Sequence, residues 1–292
     1  MCVLSSMELV RGFGMYLRAA GRRPTPVDRQ LRTLQHYLRH CNGNAPLERA
    51  AILAYLEASA TTGKRITLRN RWDVLNAFCR YAVAEGLVAE DPMAGLPRPH
   101  VAREEAERDV DPVTPAMVEA LLAVCPTWTW IGQRDRAIVR MLWDTPLRAS
   151  ELCGLLVTDI DWDAMEVRVR DGKGGCRYEA LIAEDLGLAI SRYLRNRRHD
   201  CAVLFVTKDG STLSPHALGQ LLQRLSRKAG IAPHVFPHQF RHSFRVRMRA
   251  LGLDDCDVSA LLGHRSVVPT WGYGRRQARN MAKARLRERL AG

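Results

Sequence analysis

No CxxC pair occurs in this sequence: its eight cysteines, at positions 2, 41, 79, 125, 153, 176, 201 and 256, stand alone. That scatter excludes a zinc knuckle and a disulfide framework, and it suits a reducing compartment. No apolar stretch approaches the roughly eighteen residues that span a bilayer, so no membrane partner is expected. The N-terminal MCVLSSMELVRGFGMYLRAAGRR lacks a basic start followed by a clean apolar run, and Glu8 interrupts it. No secretory signal is therefore expected, and the expected location is the cytoplasm. There is no internal repeat and no low-complexity tract. Acidic residues are the minority, 31 against 44 Lys and Arg, for a net charge of +13. The excess is +5 over residues 1–108 (16 basic, 11 acidic) and +8 over residues 109–292 (28 basic, 20 acidic). A polyanionic partner lying along both halves fits this distribution, and phosphate backbone is the usual one. A soluble protein that is merely basic would show the same totals.

What is present is an ordinary globular balance, 47% hydrophobic and 26% charged over 292 residues, a length that suggests two domains. The first part reads as all-helical. Thr25-Pro26 reads as an N-cap followed by proline at the first helical position, with Leu31, Leu34, Tyr37 and Leu38 at helical spacing. A second helix runs through PLERAAILAYLEAS. A third starts near Thr67, repeats Leu68, Trp72, Leu75, Cys79 and Ala82, and stops at Gly86. Lys64, Arg65, Arg69 and Arg71 stand at its start, where a helix N-terminus and cations can meet phosphates; a solvated helix end reads the same way. Residues 97–112, PRPHVAREEAERDVDP, are proline-bracketed, charged and poor in core residues, as a linker is.

The second part is mixed. Thr114-Pro115 caps a helix, GQRDRAIVRMLW is another, and MEVRVRDGKGGCRYEALI alternates on both sides of a glycine-rich turn, a β-hairpin pattern with Lys173 at its tip. Helices resume at EDLGLAISRYLRNR, at SPHALGQLLQRLSRKAG, with Ser214 as its cap and Pro215 at its first position, and at HQFRHSFRVRMRALG. The fold class expected is mainly α with a small β-hairpin or sheet (α+β). The expected division is residues 1–100, a linker over 101–111, and residues 112–292.

Several residues could carry chemistry. His238 and Arg241 lie three apart on a helix and share a face, while Phe240, Phe244 and Met248 point elsewhere, so the pair is expected to project away from the core. An imidazole beside a guanidinium suits a phosphate, one gripping two oxygens and the other donating a hydrogen bond or moving a proton. His238 and His242 have zinc-pair spacing, but HExxH would need Glu where Gln239 stands, so no metal is expected and His242 is read as structural. Arg148 follows Pro146 at the start of the helix ASELCGL, a position a helix dipole disfavours for a cation unless an anion is wanted there; Glu151 could hold it or cap the helix. His264 follows Gly263, and Tyr273 sits between Gly272 and Gly274. GKGG around Lys173 is not a P-loop, because no strand–GxxxxGK[ST]–helix order surrounds it.

Taken together, TPLRASEL, GKGGC, HQFRH, LGH and WGY resemble, in order and spacing, the motifs of the tyrosine recombinase (phage-integrase and Xer-type) family, over essentially the whole chain. The resemblance implies catalytic residues Arg148, Lys173, His238, Arg241, His264 and, as nucleophile, Tyr273. It also implies an N-terminal helical core-binding domain and a C-terminal catalytic domain. This sequence departs from the family pattern at Pro146, where glycine is usual, at Cys176, where a second basic residue is common, at Gln239-Phe240, and at Trp271-Gly272 before the tyrosine.

The activity implied is site-specific recombination of DNA elements through a 3′-phosphotyrosyl intermediate, in integration and excision or in dimer resolution, without metal or other cofactor. The alternative is a relaxing enzyme of the type IB topoisomerase kind. The implied partners are double-stranded DNA bearing a recombination site, three further copies of the chain in a tetramer on DNA, and a related recombinase or an accessory DNA-bending protein. Such a protein would be cytoplasmic and nucleoid-associated. In this family the C-terminal helix docks on a neighbouring protomer; here Met281, Ala284 (or Leu286) and Leu290 stand at helical spacing for that role.

Overall fold

The computed structural model describes residues 5–42, 47–101, 111–170, 178–263 and 275–291. The chain divides into two compact units, Met1–Asp109 and Val110–Gly292.

The first unit contains α1 (Ser6–Ala19), α2 (Pro24–His40), α3 (Arg49–Thr62) and α4 (Arg65–Ala84). Helix α1 was not expected individually. It starts with a capping box: Glu8 N–H donates to the Ser5 hydroxyl at 3.3 Å, and the Ser5 N–H donates to the Glu8 carboxylate at 2.7 Å. Helix α2 starts at Pro24 with Arg23 as its extended N-cap, so Thr25 lies inside the first turn instead of capping it. Pro24 has the φ that a first turn needs and no N–H to leave orphaned, which lets the helix begin earlier. Phe13, Leu34, Tyr37, Ile52, Tyr55, Leu75 and Phe78 form the core. Helix α4 begins two residues before Thr67, and Gly86, at φ +68°, turns the chain beyond its end.

The second unit contains α5 (Pro115–Ala123), α6 (Trp130–Asp144), α7 (Ala149–Cys153), β1 (Ile160–Asp161), β2 (Glu166–Val169), β3 (Tyr178–Leu181), α8 (Glu184–Asn196), α9 (Pro215–Lys228), α10 (Pro237–Ala250), α11 (Asp255–Leu261) and α12 (Arg275–Ala291). The expected hairpin is β2–β3, antiparallel, with Val169 opposite Tyr178; its connecting residues 171–177 lie outside the described residues. Strand β1, too short to show alternation, adds a third strand on the β2 side. Val167, Val169, Tyr178 and Ala180 point from the hairpin into one core with Ile138, Leu142, Leu152, Ile190, Phe205, Leu222 and Phe240. The caps at Thr114 and Ser214 form as expected, accepting from Met117 N–H at 3.2 Å and Ala217 N–H at 3.1 Å.

A second apolar cluster joins Phe244, Met248, Val258, Leu261, Ala282 and Leu286. Helix α12 thus packs within its own unit, and of the stripe read from the sequence Leu286 joins this packing. Met281 and Ala284 are exposed, whereas Arg279, Ala282, Lys283 and Leu286 are buried. The reason is electrostatic. Lys283 Nζ donates to both Glu166 carboxylate oxygens at 2.9 Å, so its stem can lie in the interior with its charge answered. Arg287 and Arg285 reach Glu166 at 3.0 Å and Asp257 at 2.6 Å from either side. Among the described residues no helix is long and apolar enough to cross a membrane.

Candidate active site

Arg148 is the N-cap of α7, reached by a buried turn in which Thr145 is fully buried and Leu147 is 1% exposed. Three bonds set that turn. The Thr145 hydroxyl donates back to the Met141 carbonyl at 2.5 Å, Arg241 donates to the Pro146 carbonyl, and Arg247 donates to the Trp143 carbonyl while stacking 3.5 Å above the Trp143 ring. Proline in place of glycine at 146 leaves this intact, because the carbonyl is the group in use. Glu151 does both things considered for it. Its carboxylate accepts the Arg148 N–H at 2.8 Å, capping α7, and the Arg148 guanidinium at 2.6 Å. The Glu151 side chain is 1% exposed and that of Arg148 is 25% exposed, so the cation keeps an open edge.

His238 and Arg241 come from the first turns of α10, which Pro237 opens at its first position. The helix is pinned by Ser243, whose hydroxyl accepts from Val113 N–H at 2.6 Å, and by Gln239, whose amide donates to the Asp111 carbonyl at 2.8 Å. His238 is exposed, but Arg241 does not project away from the core. It is 7% exposed and donates to the Pro146 carbonyl and, at 2.9 Å, to the Leu262 carbonyl. A face rule sorts a charged residue outward; here neutral carbonyls from two loops supply the partners that let a guanidinium go in. His242, expected to be structural, is exposed.

These groups lie in one another's fields. Burial, then the charges of Arg241, His242 and Arg148, push the His238 imidazole below its usual range, so it is neutral at neutral pH. Burial, then the charge of Arg148, lowers Arg241. Two guanidinia and one carboxylate leave the cluster net positive. Holding cations together with that balance is costly unless an anion completes the site.

The sequence did not single out Tyr178. Its hydroxyl donates to Glu151 at 2.7 Å, its ring is 1% exposed, and the Arg279 guanidinium lies 5.5 Å from the ring centroid. Gly263 covers the same ring at φ +67°, and a Cβ there would meet a ring carbon at 2.9 Å. The available signal was a tyrosine at an inward position of an alternating strand.

The structure therefore brings Arg148, His238 and Arg241 together. Lys173, His264 and Tyr273 lie outside the described residues. In the first unit, Lys64 is the N-cap of α4 and, like Arg65, is exposed; Arg69 is half-buried. Arg71 turns inward, donating to the Ser59 hydroxyl at 2.8 Å and lying 5.5 Å from the Tyr55 ring centroid.

The profile described as Phage integrase family matches residues 112–279. The chain is 34% identical over 299 residues to tyrosine recombinase XerA of Pyrococcus furiosus, covering 97% of this chain and 94% of that one. It is 30% identical over 227 residues to tyrosine recombinase XerD of Ralstonia nicotianae, covering 76% and 71%. The fold matches a lambda integrase dimer bound to a COC' core site (TM-score 0.70, 16% identity, 93% and 99% covered). It also matches a Tn1549 transposon integrase in complex with circular intermediate DNA (TM-score 0.68, 20% identity, 97% and 99% covered). The chain belongs to the phage integrase family and is a tyrosine-type site-specific DNA recombinase.

Proposed function

We propose that this chain cuts and rejoins duplex DNA at a specific recombination site by transesterification through Tyr273. The observation that carries the reading is the convergence of Arg148, Arg241 and His238 on one net-positive spot. Attack on a phosphodiester builds negative charge on the nonbridging oxygens, and fixed donors aimed at that charge are the largest catalytic lever; losing one typically costs about 10²–10³ in rate. Arg148 and Arg241 clamp the scissile phosphate, and His264 adds a hydrogen bond to it. The Tyr273 oxygen attacks phosphorus as His238 takes the phenolic proton, which a phenol with a reference pKa of about 10 does not shed unaided. The bond from phosphorus to the 5′ oxygen breaks, and Lys173 protonates that oxygen. A 3′-phosphotyrosyl ester remains, and a 5′ hydroxyl of a second strand reverses the step. The cations supply the charge a divalent metal would otherwise provide, so the reaction runs without one.

In this reading residues 1–100 are the helical core-binding domain, with Lys64, Arg65 and Arg69 along its phosphate-facing edge and Arg71 turned inward behind them, 101–111 are the linker, and 112–292 are the catalytic domain and docking tail. Four protomers exchange one pair of strands at a time through a Holliday junction; a lambda integrase tetramer bound to a Holliday junction shares this fold (TM-score 0.68, 17% identity). The work is integration and excision, or dimer resolution, of DNA elements, in the cytoplasm at the nucleoid, with a related recombinase or a DNA-bending protein as accessory. The test is a nicked duplex carrying the site recovered by selection from random sequence. The wild type is expected to form a covalent complex in EDTA, and Tyr273→Phe to bind the duplex without forming one. Strict dependence on magnesium would contradict the mechanism.

A further inference from the structure

The geometry points to Tyr178 as a positioning residue that aims Arg148 at the scissile phosphate by fixing one oxygen of Glu151. This rests on the proposed function. Glu151 is buried and has two oxygens to place. One, Oε1, takes the Arg148 guanidinium at 2.6 Å. The other, Oε2, takes the Arg148 N–H at 2.8 Å and the Tyr178 hydroxyl at 2.7 Å. Both Oε2 donors are held in place: one is the backbone N–H of the N-cap of α7, and the other is the end of a ring that is itself 1% exposed. With Oε2 held, the carboxylate offers the guanidinium a single oxygen, and the rest of the fork remains for a phosphate. Without the hydroxyl, the carboxylate can turn to take the guanidinium with both oxygens, the favoured geometry for such a pair. That would draw Arg148 back from the site.

The ring does a separate job. Gly263 lies on it at φ +67° with no room for a Cβ, and His264 is the next residue in sequence. Arg279 of α12 lies 5.5 Å from the ring centroid while donating to the Ala260 carbonyl at 3.2 Å. The hydroxyl can therefore be removed without disturbing what the ring supports. Burial and the Glu151 charge raise the phenol above its usual range, which keeps it a donor at every working pH.

Tyr178→Phe separates the two jobs. Single-turnover covalent cleavage of the nicked duplex is expected to fall about tenfold. DNA affinity should stay within twofold of wild type. Glu151→Gln cannot bind Arg148 as a carboxylate; placing Tyr178→Phe in that background is expected to cost far less than tenfold, the remainder being the contact of the Tyr178 hydroxyl with Arg241. A wild-type rate in Tyr178→Phe, or full additivity of the two substitutions, would overturn the role. No covalent complex from the wild type would instead overturn the proposed function.

Discussion

Asp144 is the last residue of α6, where the negative end of the helix dipole opposes a carboxylate. One of its oxygens is buried without a hydrogen-bond partner among the described residues. Burial is the main reason its pKa rises from 3.8 to about 6, against the pull of Arg140 and Arg247. Arg247, half-buried on the Trp143 ring, is lowered to about 10. A carboxylate whose folded pKa is raised contributes stability below its unfolded pKa and loses it as pH rises through the folded one. At pH 8 the folded protein therefore carries an ionised Asp144 at a cost on the order of 2–3 kcal/mol, at 1.36 kcal/mol per pKa unit. Asp144→Asn is expected to stabilise the protein by that order at pH 8 and by little at pH 4, read from denaturant midpoints at both values. An equal gain at both would show that charge is not the cause. The same turn leads to Arg148, so the wild type trades stability at neutral pH for the loop it has. Arg241 shows why such residues resist reading from sequence. Helical spacing correctly pairs it with His238, but no spacing rule reveals that the carbonyls of Pro146 and Leu262 will meet a buried guanidinium.

Among the elements, the hairpin and the helices with strong apolar periods were legible, as were the caps at Thr114 and Ser214, because each rests on local chemistry. Helix α12 was legible as a helix, but the face by which it packs on its own unit was not. Its buried face includes Arg279 and Lys283, and a hydrophobic count gives such residues to solvent. Lys283, with 6% of its side chain exposed, pairs with Glu166 at 13%, and breaking a buried pair by removing one partner costs about 3–5 kcal/mol. Arg287 also reaches Glu166, so the lower end of that range is expected. Lys283→Ala should lower stability by about 3 kcal/mol and expose the α12 amides to hydrogen exchange ahead of those in α6. Unchanged exchange in α12 would mean that the apolar contacts of Ala282 and Leu286 alone hold the helix.

For the whole molecule, the family was legible because five short motifs fall in one order, and an ordered set is far rarer than any member. The structure adds why that order works: the turn after α6, the start of α10 and the loop after α11 converge through Glu151, Arg241 and Tyr178, three residues from distant parts of the sequence. Only their assembly was hidden, since contacts between separated segments leave no periodic trace. The reaction itself has one direct readout. Protein trapped on the nicked duplex, digested with protease and nuclease, yields a peptide bearing a phosphonucleotide. Mass spectrometry of that peptide is predicted to place the adduct on Tyr273, and an adduct on any other residue would contradict the account.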